Sequence, residues 1–253
     1  MENTQEESKL NFGLVGRNIS YSFSRRYFTN KFQNESLPYA YVNFDIQSIN
    51  DLKEIVNSTP NLKGLNVTIP YKEEVIPLLN KLNKKAKKIG AVNTIKITKN
   101  KKLKGYNTDY FGFKNSLKPY LKSHHTRALI LGTGGASKAI AYGLQRLGIG
   151  FDFVSRSNKK DIKFLYSELT EAIISEYTII INCTPIGTFP NVDACPDLPY
   201  NAITKDHILF DLIYNPEQTK FLKNGHQKGA ITINGEEMLR LQAEKAWKIW
   251  NNV

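Results

Sequence analysis

Two short segments carry residue types suited to proton transfer on a hydroxylated ligand. Asn66-Val67-Thr68-Ile69-Pro70-Tyr71-Lys72 and Gly105-Tyr106-Asn107-Thr108-Asp109 each hold a neutral Asn/Thr pair followed by one ionisable group. Amides and hydroxyls offer donors and acceptors to a ligand with several hydroxyls, and a lysine with an aspartate can move a proton. Pro70 sits where a helix can begin, because the first turn needs no amide there, which predicts Lys72 beside the positive end of a helix dipole. A plain surface lysine and a helix-capping Asp109 are the alternative reading of the same residues.

A second chemistry lies downstream. The uninterrupted apolar run Ala128-Leu129-Ile130-Leu131 reads as a strand buried on both faces. It leads into Gly132-Thr133-Gly134-Gly135-Ala136-Ser137 and then helical spacing to Leu147. In that context Gly132 allows a tight turn and Gly134 lets backbone approach a pyrophosphate, which free amides at the helix start hold. Ser137 stands where the usual pattern has its third glycine, and a simple strand-to-helix turn is the competing reading. The next strand ends in Ser155-Arg156-Ser157-Asn158-Lys159, where an NAD site usually has an acidic residue. Arg156 and Lys159 with two serines suit a 2′-phosphate, which predicts NADP(H); a solvated basic loop is the alternative.

These segments need elements to position them. Phe12 to Gly16, Tyr39 to Phe44 and Leu65 to Val67 read as strands, Ile49 to Val56 as a helix, and Thr94 to Gly105 as a hairpin around Lys99-Asn100-Lys101. Beyond a helix predicted over Tyr110 to Lys122, strands at Phe151 to Val154, Tyr177 to Asn182 and His207 to Asp211 alternate with helical stretches. Glu236 to Trp250 reads as one amphipathic helix. The economical division is two α/β domains: residues 1–108 with 235–253, and residues 109–234 as a nucleotide-binding unit.

Composition narrows the classes. The net charge is +12, but the lysines are scattered rather than interleaved with aromatics on one face, so no nucleic-acid partner is expected. A basic surface would draw carboxylates and phosphates toward it. No apolar run approaches the roughly 20 residues of a membrane span, and Met1 to Ser8 lacks the apolar core of a signal peptide. Two cysteines, Cys183 and Cys195, make neither a disulfide framework nor a metal site, and the four histidines lack metal spacing. A reducing, cytoplasmic compartment is expected.

The chain resembles the shikimate dehydrogenase family from about Phe12 to Trp250. The matching pieces are Ser22-Phe23-Ser24, the Asn66 to Lys72 segment, Gly90-Ala91-Val92-Asn93-Thr94, Asn107-Thr108-Asp109 and the Gly132 to Ser137 loop. They continue with Asn182-Cys183-Thr184-Pro185-Ile186-Gly187, Asp211-Leu212-Ile213-Tyr214-Asn215-Pro216, and Gly235-Glu236-Glu237-Met238-Leu239 with Gln242-Ala243. Each is weak alone, but eight in the family's order and spacing are specific.

The resemblance implies an N-terminal α/β substrate-binding domain plus a Rossmann-type NADP-binding domain, with the active site in the cleft between them. It implies NADPH-dependent reduction of 3-dehydroshikimate to shikimate on the way to chorismate and the aromatic amino acids. Lys72 would be the acid/base with Asp109 beside it. Ser22 and Ser24 would hold the carboxylate, and Asn66, Thr68, Asn93, Tyr214 and Gln242 would share the ring. Gly132, Thr133, Gly134, Gly135, Ala136, Ser155, Arg156, Ser157, Lys159 and Thr184 would hold the cofactor, with Leu212 and Gly235 near its nicotinamide. Association as a monomer or a homodimer stays open.

One departure stands out. The family's first motif commonly reads Gly-x-Pro-Ile-x-His-Ser-x-Ser-Pro, whereas Asn18, Tyr21 and Arg25 replace its two prolines and its histidine here. Loop rigidity, carboxylate contacts and the choice between shikimate and quinate are where this would show. A quinate/shikimate dehydrogenase and a non-catalytic ligand sensor of the same fold are the competing readings.

Overall fold

The computed structural model describes residues 9–20, 22–158 and 162–251. The chain divides into two compact units, residues 1–108 with 243–253 and residues 109–242. The later boundary therefore falls inside the last helix rather than ahead of it at 235. The physical reason is Met238, whose side chain lies in the core of the second unit, whereas Ala243, Ala246 and Trp250 lie in a core of the first.

The first unit comprises β1 (Leu10–Gly16), α1 (Phe23–Asn34), β2 (Tyr39–Asp45), α2 (Leu52–Ser58), β3 (Leu62–Val67), β4 (Lys81–Leu82), α3 (Lys84–Ile89), β5 (Thr94–Ile97) and β6 (Leu103–Tyr106). Its sheet runs β2-β1-β3-β5-β6-β4. The central β1 is parallel to β2 and β3, and the β5–β6 hairpin adds antiparallel to β3. Alternation along β1 sends Val15 to one core and Phe12 and Leu14 to the other, so both faces are covered. In the second of these cores, Trp250 packs on Gly64, where a Cβ would lie 2.3 Å from the indole nitrogen, and donates to the Ile95 carbonyl at 3.0 Å.

The second unit comprises α4 (Asp109–Leu117), β7 (Arg127–Leu131), α5 (Gly135–Leu147), β8 (Gly150–Ser155), β9 (Phe164–Leu165), α6 (Glu171–Glu176), β10 (Ile179–Asn182), β11 (Ile208–Asp211), α7 (Lys220–Gln227), β12 (Ile231–Ile233) and the start of α8 (Glu236–Asn251). Its sheet is wholly parallel in the order β12-β11-β10-β7-β8-β9. Ala128, Ile130, Ile179 and Ile181 enter one core, and Leu129, Leu131 and Ile180 enter the opposite one, as a sheet buried on both faces requires. Strand order reverses between β7 and β10, the doubly wound switch point at which ligands bind beyond the strand ends.

Two predicted helices differ. Residues from Pro70 form successive turns and a short 3-10 segment, Ile76–Leu78, instead of an α-helix. An α-helix would need the Ile76 N–H on the Lys72 carbonyl. That N–H goes to Glu73 at 3.1 Å, and the Lys72 carbonyl accepts from Val92 at 2.7 Å. Lys72 thus does not sit on a helix dipole. The helix predicted to run to Lys122 stops at Leu117 and tightens to 3-10 over Lys118–Tyr120, because Pro119 has no N–H to continue the ladder.

Candidate active site

In the first unit the predicted substrate residues gather where β1 and β3 end and β5 begins. Parallel β1 and β3 finish side by side, and antiparallel pairing sets Asn66 opposite Thr94. Gly16 has no Cβ to clash with Thr68, whose methyl would lie 2.5 Å from one. The Lys72 turn is fixed on both sides. The Tyr71 N–H bonds the Thr68 carbonyl at 2.9 Å, and Val92 takes the Lys72 carbonyl. Tyr71 itself is fully buried, and its hydroxyl donates to the Ile46 carbonyl at 2.7 Å. The half-buried Lys72 side chain therefore projects from a pinned backbone.

Asn66 and Asn93 belong to one buried hydrogen-bonded set. The Tyr41 hydroxyl donates to Asn66 Oδ1 at 2.7 Å, and Asn66 Nδ2 donates to the Asn93 carbonyl at 3.2 Å and approaches Thr94 Oγ1 at 3.4 Å. Asn93 Oδ1 accepts from the Thr108 N–H at 2.7 Å, and its Nδ2 donates to Thr108 Oγ1 at 2.9 Å. Burial pushes the Tyr41 phenol well above its usual range, with the nearby Ser24 hydroxyl pulling the other way. The sequence assigns no role to Tyr41 or Thr94, and Thr108 enters it only as half of the Asn107-Thr108 pair of donors and acceptors. Both threonines lay inside recognised motifs, but Tyr41 lies 25 residues from its partner and carries no local signal.

The serine loop departs from the family pattern in a way the structure explains. Ser22 caps α1, its Oγ accepting from the Arg25 N–H at 3.2 Å. Ahead of it, Asn18 adopts φ 56°, which a proline cannot, and the Asp45 carboxylate accepts from the Asn18 and Ile19 N–H groups at 2.9 and 3.0 Å. Asn43 Nδ2 holds the Ile19 carbonyl at 2.8 Å. Side chains from the end of β2 thus do the fastening that a proline would do through its ring. Tyr21 lies outside the described residues.

In the second unit Asp109 opens α4 and is buried. Gly112, one turn on, lets α8 pass against α4, since a Cβ there would meet the Met238 carbonyl at 2.3 Å and Gln242 at 3.2 Å. Gln242 is buried, with Nε2 donating to the Leu239 carbonyl at 3.0 Å. Asp109 and Gln242 are therefore carried on neighbouring helices.

The glycine loop has the form a pyrophosphate needs. Gly132, at φ 101°, faces Thr184 so closely that a Cβ would lie 3.0 Å from its methyl, which brings the loops after β7 and β10 together at the switch point. A Cβ on Gly134 would meet nothing within 4 Å, so that backbone is open to approach. Ser137 fits in place of the third glycine because its hydroxyl turns back onto the Gly134 carbonyl at 2.7 Å. Thr133, Gly135 and Ala136 complete the turn into α5, which has no side-chain cap on its first amides. Beside this loop, the Gly132 N–H bonds the Val154 carbonyl, and Ser155 Oγ accepts from Ser157 in the bend that exposes Arg156. Lys159 lies outside the described residues. Tyr166 has a buried hydroxyl with no hydrogen-bonding partner among the described residues. Burial pushes it up to about 12, with Arg156 opposing.

Asp211 organises the segments around several of the remaining predicted site residues. Fully buried at the end of β11, its Oδ1 accepts from Asn182 Nδ2 and the Ile213 N–H, both at 3.1 Å, and its Oδ2 from the Thr219 hydroxyl at 2.6 Å. Asn182 in turn accepts from the Thr184 hydroxyl at 2.6 Å, and Ile213 leads directly to the half-buried Tyr214. Gly235 packs on Leu212, where a Cβ would lie 2.2 Å from its carbonyl oxygen. Cys183 is a free packing residue whose thiol burial pushes far up.

Burial raises the Asp211 carboxyl from 3.8 to about 6, against the pull of Thr219, Ile213 and Asn182. Because the folded value lies above the unfolded one, the stability this group contributes is fully present below pH 3.8 and is lost as pH rises through about 6. Asp211→Asn keeps an acceptor for Asn182 and Ile213 but cannot titrate. Its urea midpoint is expected to gain on the parent's between about pH 4 and pH 7, whereas a constant gap would contradict the assignment.

Comparison with known proteins identifies the family. The family model described as the shikimate dehydrogenase substrate binding domain matches residues 14–95. A shikimate dehydrogenase (NADP(+)) of Clostridium botulinum is 39% identical over 248 residues, covering 94% of this chain and 95% of that relative. The crystal structure of shikimate dehydrogenase from Aquifex aeolicus matches with a TM-score of 0.85 at 33% identity, covering 99% of this chain and 94% of that one. A shikimate 5-dehydrogenase from Thermus thermophilus, in complex with NADP(H) and shikimate, matches with a TM-score of 0.84 at 27% identity, covering 96% and 94%. With identity at this level over nearly its whole length, the chain belongs to the shikimate dehydrogenase family.

Proposed function

We propose that this chain reduces 3-dehydroshikimate to shikimate reversibly with NADP(H), Lys72 serving as the acid/base and Asp109 binding ring hydroxyls. The observation that carries this reading is the buried set built from Tyr41, Asn66, Asn93, Thr94 and Thr108, joined to the Lys72 turn through the Val92 N–H. Neutral amides and hydroxyls held in fixed orientation by one another suit a ring bearing several hydroxyls, which can take up the hydrogen-bonding capacity that the set retains.

Ser22 and Ser24 hold the carboxylate, while Asn66, Thr68, Asn93, Tyr214 and Gln242 orient the ring. The Gly132 to Ala136 loop and the α5 amides take the pyrophosphate. Ser155, Arg156, Ser157 and Lys159 take the 2′-phosphate, Thr184 lines the groove, and Leu212 and Gly235 flank the nicotinamide. Bound NADPH supplies the hydride. Lys72 gives its proton to the oxygen of the ketone as that oxygen gains charge, and takes one from the hydroxyl in the reverse direction. Steady-state oxidation of shikimate and quinate, each with NADP and NAD, tests the reading. The expected order places shikimate with NADP first by kcat/KM, and preference for quinate or for NAD would overturn it.

A further inference from the structure

We propose that Tyr41 is a positioning residue for substrate binding: its hydroxyl fixes the Asn66 amide in its working orientation while its ring anchors the helix that carries the carboxylate serines. This rests on the reading above, in which Asn66 binds the ring and Ser22 and Ser24 the carboxylate.

Tyr41 lies on β2, on the face of the sheet that α1 covers, and is only 6% exposed. Its ring stacks on Phe28 of α1 with centroids 4.8 Å apart and planes 13° from parallel. Phe28 is fully buried, so the stack seats the middle of α1 against β2, one turn beyond Ser24. The other end of the same side chain donates to Asn66 Oδ1 at 2.7 Å. An amide can present either its oxygen or its nitrogen in a given direction, and only its partners decide which. Here the Asn93 carbonyl, which can only accept, sets the nitrogen side, and the Tyr41 hydroxyl completes the oxygen side. Tyr41 offers a donor to one side of Asn66, and the Asn93 carbonyl offers an acceptor to the other at 3.2 Å. Removing the tyrosine hydroxyl leaves the oxygen side without that donor, in a site where the Asn66 side chain is buried. The amide then keeps only its nitrogen-side partners, and each substrate bound must order its oxygen side anew.

Tyr41→Phe isolates the hydroxyl, because the ring and its stack on Phe28 remain. The expected result is a rise of about tenfold in the KM for shikimate, the scale of one buried hydrogen bond, with kcat and the KM for NADP within about twofold of the parent. On an Asn66→Ala background the same substitution is expected to add clearly less than on the parent, since the amide it orients is gone and only the contact with the Ser24 hydroxyl is left to lose. An unchanged KM for shikimate would overturn the proposal. So would a parallel change in kcat and both KM values, an additive effect on the Asn66→Ala background, or loss of the fold in Tyr41→Phe, each of which would make the hydroxyl a general structural group. A parent inactive on shikimate would instead remove the functional reading on which the proposal rests.

Discussion

Replacing Lys72 by alanine is expected to lower kcat for shikimate oxidation by at least about 10²-fold while the KM for NADP stays unchanged. The loss belongs to chemistry because the backbone at Lys72 is held without its side chain. Its carbonyl accepts from Val92 at 2.7 Å, and the neighbouring Tyr71 is fully buried, with its hydroxyl bonded to the Ile46 carbonyl. Arg17 adds a bond from its Nε to the same hydroxyl at 3.2 Å. Truncation beyond Cβ therefore leaves the backbone bonds of the turn in place while removing the chain that carries the ammonium group. The loops proposed to hold the cofactor belong to the other compact unit, so NADP affinity provides an internal control. Lys72→Ala with an unchanged kcat would take the lysine out of the reaction, and equal losses in NADP affinity would point to damaged folding.

The second large effect is expected at Arg156. Arg156→Ala is expected to raise the KM for NADPH by about 10- to 100-fold, the scale of a charge-assisted hydrogen bond to a phosphate, and to leave the KM for NADH almost unchanged. Arg156 is exposed on the bend that follows β8, and the register of β7 and β8 sets Leu131 beside Val154. The bend thus emerges alongside the glycine loop, where the adenosine ribose of a dinucleotide lies in this fold class. Ser155 is buried and its hydroxyl holds the Ser157 N–H at 3.3 Å, which shapes the bend independently of the arginine. Equal effects on the two cofactors would mean that Arg156 does not distinguish them. Tyr166, whose pKa Arg156 influences, provides a secondary signal. Its phenol is expected to titrate higher once the guanidinium is removed.

Much of this site is legible in residue order, because its chemistry sits in contiguous runs. Strand, Gly132 to Ser137, then helix is a local pattern, and the parallel sheet bears it out down to the close approach of Gly132 to Thr184. The Thr94 to Tyr106 hairpin is similarly local, and pairs as its turn predicts. What local pattern cannot supply is a partner distant in the chain. Pro70 and the spacing after it favour a helix, but the Val92 N–H claims the Lys72 carbonyl and the segment coils into turns instead. Tyr41 looks like any strand tyrosine until β1 and β3 bring Asn66 to it. Asp45 belongs to no motif, yet it fastens the loop whose missing prolines were the clearest departure from the family. The division of α8 at Gln242 follows from the same limit, since an amphipathic stripe does not say which core each end will enter.

The most direct measurement is the reduction of 3-dehydroshikimate by the purified chain with NADPH, following cofactor consumption and product together. One shikimate is expected for each NADPH oxidised, at a rate that falls at least about 10²-fold in Lys72→Ala. NADPH oxidation no faster than without protein, or turnover that survives the loss of Lys72, would contradict it.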